Sequence, residues 1–565
     1  MTSFELKVSS RPQSSVISAS RISPRRRNAS REPAFDMHCL LSRLPAELFD
    51  LVFRHVSGTA AVDRYLDIGH SAPGRLDLGH LRQLIVGRAP TMTQVCRHWR
   101  TLFLPIFHQY AIYDGGEADT LLGLEDHDCY MRRLLVHIPR DYYSYRSVVR
   151  ALYGLPEHVR QGVRWLGLCM DDNTGMSMSE LGALAEAFPG VRHVWMDLAR
   201  LDTKARRVHP IVMGAVSASV TALVYRDYEL ANARQLIALM RRTAASLEHL
   251  DLGAVGLDTA GRALWGNCGD VAPTAYPRLR VLRLTLTSKA STQLFKHSPL
   301  GMIFPRLETF VCLADYHEQL DSESCADCLD LAQAFQLELL LHCSPHIKQL
   351  CGFDVDGVFT SLGISQRQAL EQLTLTCNLG RLGRHCDNLS SALDLTAMLP
   401  SLRQLRINAV FGQHMRQQLD LRVSQHTKLS VLDVSSWKIT LADLEQLLNK
   451  LPQLRDVRVT VMAPAVRMDS EEFAFHIGVQ RLWIDAVSGE AAAWTADGLG
   501  SLMVLLARMP SLYELLTFDR AMRWLAKAAA GSSGGDGLDH LVFNANIGLC
   551  NYDEGAVGRA TSLYL

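Results

Sequence analysis

The sequence lacks a charge excess, a long apolar run and an even set of cysteines. Its 58 basic and 58 acidic residues leave no formal net charge, which excludes the broad positive field of a general nucleic-acid-binding protein. The most apolar uncharged stretch, residues 210–225, is too short and too rich in Ser and Thr to span a bilayer. The thirteen cysteines fit reduced thiols better than a disulfide framework. We therefore expect a cytoplasmic or nuclear protein, or one present in both compartments, without a membrane or nucleic-acid partner.

Motifs for catalysis and metal binding are scarce as well. There is no Walker loop, dinucleotide fingerprint or His-Glu-x-x-His sequence. Residues 531–535 match Gly-x-Ser-x-Gly, but an Ala-rich helical pattern precedes them where the nucleophile elbow needs a strand. A zinc-finger spacing is formed by Cys325, Cys328, His342 and His346. Pro345 would break the helix that the two histidines of a finger share. We expect no enzymatic activity, no catalytic residues, no bound metal and no cofactor.

One short pattern recurs along most of the chain. It consists of an apolar residue, two variable ones, an apolar one, one variable one and a last apolar one, as in Leu247–Leu252 and Leu279–Leu284. Fourteen copies occur, and their first residues are Val163, Val191, Val220, Leu247, Leu279, Leu307, Ile347, Leu370, Leu402, Leu429, Leu454, Val479, Leu512 and Leu538. The alternation within each copy predicts a short half-buried strand.

Helical patterns lie between the predicted strands. We predict helices over residues 178–187, 232–242, 329–341, 441–448 and 499–507, with Thr440 as the N-cap of the fourth. Strands and helices that alternate at this period bury their apolar faces only against neighbouring copies, which predicts an α/β solenoid. The alternative is an ordinary α/β domain with Leu-rich strands.

The repeats resemble those of leucine-rich-repeat proteins over about residues 160–545. They depart from that family because the Asn expected shortly after each strand occurs only at Asn378 and Asn546. The convex turns must then satisfy their backbone groups in other ways. We expect an irregular arc, within a fold class best described as an α/β, irregular leucine-rich-repeat solenoid preceded by a small all-α module.

That module is predicted near the amino terminus. Residues 42–56 form a short helical pattern with two apolar stripes, more than one neighbouring element would cover. A second helix is predicted over residues 93–104, before Pro105. Leu44-Pro45-Ala46-Glu47-Leu48 is similar to the first half of the F-box, and the run from Val95 to Arg100 is similar to its second half. The chain thus resembles fungal-type F-box proteins with leucine-rich repeats.

The resemblance implies a role in ubiquitin ligation. F-box helices bind the Skp-type adaptor of a cullin-RING ligase, and the positions that would face the adaptor are Leu44, Pro45, Leu48, Val52, Phe53, Val95 and Cys96. Packing of these side chains against the first repeats is the alternative. The insert between the two halves, residues 57–92, is much longer than in the family, although a longer loop costs little entropy.

The predicted organisation has five segments. They are a disordered basic tail over residues 1–36, an F-box-like module over 37–110 with its insert at 57–92, a linker or first cap over 111–160, the solenoid over 161–550, and a C-terminal tail over 551–565. Residues 1–33 contain seven basic and two acidic residues, and a mitochondrial transit peptide is the alternative interpretation of this start.

Variable residues inside the strands are expected to line the concave face of the solenoid and to bind a protein client. The candidates are Trp195, Arg283, Arg406, Asp433, Arg458, Arg481 and Trp483. The predicted function is that of a non-catalytic substrate-recognition subunit of a cullin-RING ligase of the SCF type. It would bind the Skp-type adaptor, and through it the cullin, and an unidentified client. The alternative is a repeat scaffold without ligase association.

Overall fold

The structure is a computed structural model. It describes residues 110–114, 131–138, 152–170, 188–197, 219–226, 233–256, 260, 264, 274–287, 303–315, 335–353, 362–378, 398–410, 415–416, 428–462, 476, 478–486, 501–502, 504–506, 508–512 and 514–517. The two tails, the F-box-like helices with all seven adaptor-binding candidates, the helix at 178–187, the repeat copy at Leu538, Cys325, Cys328 and the Gly-x-Ser-x-Gly segment lie outside these residues.

The described residues form one long parallel sheet. Its strands are β1 Tyr110–Asp114, β2 Arg133–Ile138, β3 Trp165–Met170, β4 His193–Asp197, β5 Ala222–Arg226, β6 His249–Gly256, β7 Val281–Thr287, β8 Thr309–Asp315, β9 Gln349–Phe353, β10 Gln372–Asn378, β11 Gln404–Val410, β12 Met415–Arg416, β13 Val431–Ile439, β14 Asp456–Val461, β15 Arg481–Ala486 and β16 Glu514–Thr517. Each strand pairs with the next along the chain, except that the two-residue β12 lies beside β13 and off the main path. Sequential parallel pairing is the topology expected of a repeat array, which confirms the predicted solenoid-like α/β architecture.

The apolar spacing of the repeat correctly located the strands. Thirteen of the fourteen copies lie in the described part of the chain, and in each of them a strand begins two residues after the first apolar position. The first, fourth and sixth residues of a copy are buried in one continuous core, as Leu279, Leu282 and Leu284 illustrate. The same three positions therefore stack from repeat to repeat on one side of the sheet.

The sheet begins earlier than predicted. Strands β1 and β2 lie within or beside the predicted linker at residues 111–160, so the array starts at Tyr110 rather than at residue 161. Met131, Leu134 and Val136 have the repeat spacing and belong to the core. The first repeat was harder to recognise because the small residue Ala111 occupies the position that pairs with Leu134.

A ladder of shared carbonyls joins the repeats where each strand begins. In twelve successive repeats, one carbonyl oxygen accepts hydrogen bonds from two consecutive backbone N–H groups of the next repeat, at 2.7–3.1 Å. The accepting residues are Arg132, Arg164, Arg192, Thr221, Glu248, Arg280, Glu308, Lys348, Glu371, Arg403, Ser430 and Arg455. These bonds extend the strand pairing by one step and align the beginnings of the strands that they join.

Side chains at these ladder positions add contacts between repeats. The Arg132 and Arg164 guanidinium groups donate to the carbonyls of Gly162 and Gly190, at 3.2 and 3.0 Å. In the middle of the array Glu308 pairs with Arg280 at 3.1 Å and with Lys348 at 3.8 Å. The hydrogen bond and charge of Glu308 raise the pKa of Arg280. Pairs this exposed contribute about 1 kcal/mol or less each.

Four helices have complete bounds: α1 Glu157–Gly162, α2 Ala233–Thr243, α3 Ile364–Ala369 and α4 Leu441–Lys450. Helices α2 and α4 confirm the predictions for 232–242 and 441–448, and described parts of the predictions at 329–341 and 499–507 are also helical. Thr440 caps α4 as predicted: its Oγ1 accepts from the Asp443 N–H at 3.1 Å, and Asp443 Oδ2 accepts from the Thr440 N–H at 3.0 Å. This reciprocal pair satisfies two backbone donors at the start of the helix.

Two buried glutamines connect neighbouring repeats through their side-chain amides. Gln366 Nε2 lies 3.3 Å from the Leu340 carbonyl and 3.3 Å from the Ser344 carbonyl of the preceding repeat. Gln336 Nε2 lies 3.3 Å from the carbonyl of Cys312 in its own repeat and 3.4 Å from the carbonyl of Gly352 in the next repeat. Each amide thus gives backbone carbonyls a hydrogen-bond donor in the interior of the array. Among the described helices, none has the length and apolar character needed to cross a membrane.

Gly352 is the position where a side chain is least tolerable. Its φ is +87°, and an added Cβ would lie 2.1 Å from the carbonyl oxygen of Cys312. We expect Gly352→Ala to lower the free energy of unfolding by at least about 2 kcal/mol, because the backbone of β8 would have to move. Urea unfolding followed by circular dichroism measures this loss. Gly154→Ala is the control, since nothing lies within 4 Å of its added Cβ, and equal losses in the two variants would contradict the prediction.

The cap of α4 offers a second test of local stability. Thr440→Ala removes the acceptor for the Asp443 N–H and is expected to cost about 1 kcal/mol. Thr440→Ser keeps a hydroxyl and should retain most of that stability. Amide hydrogen exchange in the first turn of α4 should accelerate in the Ala variant alone. Equal exchange rates in the Ala and Ser variants would show that the cap has no such role.

Candidate functional site

The sheet has a face opposite the core, which we call the front face and which corresponds to the predicted concave surface. One residue from each main strand forms a continuous row across it, the central row. In chain order this row is Ile112, Leu135, Gly167, Trp195, Val224, Asp251, Arg283, Val311, Cys351, Thr374, Arg406, Asp433, Arg458, Trp483 and Leu516. Because the pairing is in register, side chains from distant parts of the sequence become neighbours about 4.8 Å apart.

The two halves of the central row differ in exposure. From β2 to β6 its side chains are buried, so these strands are covered on both faces. From β7 to β15 the polar and aromatic members are partly exposed, whereas Val311 and Cys351 between them are buried. The accessible part of the row therefore runs from Arg283 to Trp483.

The expectation that Trp195 is exposed for client binding is wrong, because its side chain is only 2% exposed. Its ring lies 6.4 Å from that of Trp165, between centroids. Gly167 makes room for this packing, since an added Cβ would lie 2.5 Å from the Trp165 ring. Trp195 contributes to the packing of the sheet and is not part of an accessible surface.

Arg226 links Trp195 to a buried carboxylate. Its guanidinium carbon lies 5.0 Å from the centroid of the Trp195 ring, and its Nη2 lies 3.7 Å from Asp251 Oδ2. The two charged side chains are 4% and 7% exposed. A pair this deeply buried persists because each charge compensates the other. We name Trp195, Arg226 and Asp251 the inner cluster.

The same three residue types meet again, in reverse strand order, in the accessible half. Arg458 lies 4.0 Å from the centroid of the Trp483 ring and 3.9 Å from Asp433, with 28% and 15% of the two charged side chains exposed. Asp433 also accepts hydrogen bonds from the N–H and hydroxyl of Ser435, at 3.2 and 2.8 Å. We name Asp433, Arg458 and Trp483 the outer cluster. Aromatic and arginine side chains in this setting are typical of protein-binding hot spots.

Arg481 is exposed as predicted, but its charge is already engaged. Its Nε donates to Asp456 Oδ1 at 2.7 Å, and its Nη2 donates to the other oxygen of that carboxylate. The two residues lie on adjacent strands, in the row two positions before the central row. Bidentate pairing holds the guanidinium against the sheet, so Arg481 contributes a neutral pair to the surface rather than a free cation.

A depression lies between Arg283 and Arg406. Its floor is formed by Val311, Cys351 and Thr374, and the other lining residues are Asp251, Leu284, Thr285, Leu313 and Gln349. Burial raises the pKa of the Cys351 thiol, although the hydrogen bond with Thr374 and the charges of Arg283 and Arg406 act in the opposite direction. The thiol therefore stays neutral at physiological pH, and the depression has a largely uncharged floor between two cations.

The structure brings together some of the predicted residues. Arg406, Asp433, Arg458 and Trp483 are successive register partners on β11, β13, β14 and β15, as expected for adjacent repeats. Arg283 lies four strand spacings before Arg406. The floor residues Val311, Cys351 and Thr374 were missed, although each occupies the same variable position of a repeat copy. Their uncharged character gave no reason to select them.

The described residues show no grouping suited to metal chemistry. Within them, no three His, Cys, Asp or Glu side chains come together as metal ligands would. His342 is buried and His346 is exposed, so these two residues occupy different environments.

The comparisons with known proteins add little. No protein-family model and no curated protein matches the chain. Among solved structures, it is similar to the one titled "Crystal structure of Rad7 and Elc1 complex in yeast", with 11% sequence identity and a TM-score of 0.28, over 80% of this chain and 98% of that chain. A similarity this weak supports no argument about function.

The inner and outer clusters make a matched pair for mutation. Asp251→Asn would leave Arg226 charged and buried, and we expect it to lower the free energy of unfolding by about 3 kcal/mol. Asp433→Asn should cost less than about 1 kcal/mol, because water reaches Arg458. Urea unfolding of both variants compares the two losses. Similar losses would show that burial does not separate the two clusters.

Proposed function

We propose that this protein is a non-catalytic substrate receptor that captures a protein client on the front face of its repeat sheet. The observation that carries the proposal is the accessible half of the central row, where partly exposed Arg, Asp and Trp side chains stand on adjacent strands. Surfaces with exposed Trp and Arg anchors beside polar pairs are the kind that bind proteins.

The dimensions of this surface favour a protein over a small molecule. Eight main-path strands, β7 to β11 and β13 to β15, contribute to it, which at the spacing of adjacent strands gives a length of about 34 Å. The depression near its middle is lined by charged and polar side chains as well as apolar ones, unlike the predominantly apolar pockets that surround small ligands. A folded domain or an extended peptide fits such a surface.

The second half of the proposal concerns the amino-terminal module. The two F-box-like halves occur in order, and Leu44, Pro45, Leu48, Val52, Phe53, Val95 and Cys96 occupy the positions that would bind a Skp-type adaptor. Through that adaptor the protein would join a cullin-RING ligase. Holding client and ligase on one chain raises the effective concentration of the client for ubiquitin transfer by the other subunits.

A repeat scaffold without a ligase is the second candidate. The observation that favours it is the insert at 57–92, which separates the two F-box-like halves by about 36 residues. In that case the amino-terminal helices would serve to cap the array, and stacked repeats need such a cap at their ends.

Affinity capture of the full chain distinguishes the two candidates. We expect the wild type to retain a Skp-type adaptor, and Leu48→Asp with Val52→Asp to lose it by at least tenfold, because two buried charges oppose an apolar interface. Mass spectrometry of the captured proteins measures both adaptor and client.

Arg406→Glu is the matched control for this experiment. It alters the front face alone, so it should lower client recovery and leave the adaptor in place. Circular dichroism verifies that both variants are folded. Absence of the adaptor from the wild-type capture would contradict the ligase assignment and favour the scaffold.

A further inference from the structure

Three cations of the front face are matched by an acidic neighbour on an adjacent strand. Arg226 pairs with Asp251, Arg458 with Asp433, and Arg481 with Asp456. Each of these pairs joins adjacent strands, so the in-register sheet itself neutralises the charges. A ligand gains little from a guanidinium that is already neutralised, since it would have to displace the internal carboxylate.

Arg406 differs from these three arginines in its surroundings. It lies on β11 at the edge of the depression, is half-buried, and has no hydrogen-bonding or ion-pair partner within the described ranges. Its register partners are Thr374 on one side and Asp433 on the other, and Asp433 is engaged by Arg458 and Ser435. No described residue neutralises this guanidinium, and a carboxylate or phosphate of a ligand would match it with two parallel hydrogen bonds.

Arg283 borders the depression on its other side. It stands beside Asp251 in the register, and Asp251, which also lines the depression, pairs with Arg226 from the side of β5. Both Arg283 and Arg406 act electrostatically on the Cys351 thiol at the floor. The two guanidinium groups thus contribute positive potential to one place, above side chains that carry no charge of their own.

The spacing of the two arginines limits what can reach both. Four strand spacings separate their strands, so their Cα atoms are about 19 Å apart. An extended peptide, which rises about 3.3 Å per residue, matches this separation of the two strands. Two acidic side chains about four to six residues apart would reach both sites at once. Val311 and Thr374 between them offer an apolar contact and a hydroxyl for the intervening residues.

We propose that the depression between Arg283 and Arg406 binds an acidic peptide segment, with one acidic group held by Arg406 and a second directed toward Arg283. The proposal deepens the assigned function by naming the chemistry of the client, and it rests on that function only in taking the ligand to be a protein. The binding can be measured on the isolated chain, so its outcome is independent of whether a ligase adaptor is recruited.

Fluorescence anisotropy with labelled synthetic peptides tests this site on the full chain. The probe is a twelve-residue Gly/Ser/Ala peptide that carries two glutamates five residues apart. We expect Arg406→Gln to weaken its binding about tenfold or more, as loss of a charged hydrogen-bonding partner does. Arg481→Gln is the control, because it makes the same charge change on the same face at a guanidinium already bound to Asp456. It should change the affinity less than twofold.

Equal weakening by the two substitutions would overturn the proposal, because it would show a diffuse charge effect instead of a site. Undetectable binding of every acidic peptide to the wild-type chain at low salt would overturn it as well. Because Arg406 has no internal bond to lose in the described part of the chain, Arg406→Gln should keep the wild-type unfolding temperature. A folded variant that binds as tightly as the wild type would also reject the site.

The peptide series identifies the acidic group and the spacing. Replacing both glutamates with phosphoserine distinguishes a phosphate ligand from a carboxylate ligand, and either of the two binding more tightly supports the site. Moving the two glutamates next to each other should weaken binding, since only one arginine is then reached. A peptide with lysines in their place should not bind. Tight binding of the lysine peptide would contradict the proposal.

The chain's own acidic segment provides a final test of the site. Residues 314–330 contain six acidic and no basic residues and follow β8, which contributes Val311 and Leu313 to the depression. Substitution of Glu318, Asp321 and Glu323 by their amides should leave peptide affinity unchanged. A tenfold gain would show that this run competes for the depression, and the external client would then be the wrong occupant.

Discussion

The shared carbonyl at the start of each strand is the interaction on which the rest of this structure depends. Two consecutive N–H groups of one repeat donate to a single carbonyl of the repeat before it, and this occurs twelve times in succession. A carbonyl has two acceptor sites, so the arrangement satisfies both donors without a side chain. It requires only that each strand start at the same height as its neighbour. The apolar residues of the core supply that alignment by stacking in equivalent positions.

Common register has a direct consequence for the surface. A residue at one variable position of a repeat lies beside the same position of the next repeat. Its position in the repeat, rather than closeness in sequence, therefore determines which side chains neighbour a charged group. Arg458 meets Asp433 on one side and Trp483 on the other for this reason. The sheet pairs Arg226, Arg458 and Arg481 in this way. Arg406 is conspicuous because its acidic register neighbour, Asp433, is engaged by Arg458 and Ser435.

Irregularity between the strands is absorbed by individual polar side chains. Gln336 and Gln366 donate to carbonyls of other repeats, and Thr440 caps the helix that follows β13. None of these recurs in every repeat, unlike the asparagines of a regular leucine-rich repeat. Variation in the length of the connections is tolerated because the strands and their ladder, and not the connections, determine the alignment of the array.

The sequence alone determined where the strands lie, because the spacing of apolar residues follows from the alternation of a half-buried strand. It also determined the cap at Thr440 and the set of variable strand residues that were candidates for the front face. Only the tertiary structure decided which of those residues are accessible: Trp195 is covered, Arg481 is bound by Asp456, and Arg406 is half-buried without a partner among the described residues. Exposure and pairing depend on which strands become neighbours and on what packs over them. Those are properties of contacts between residues far apart in the chain, and no local pattern encodes them.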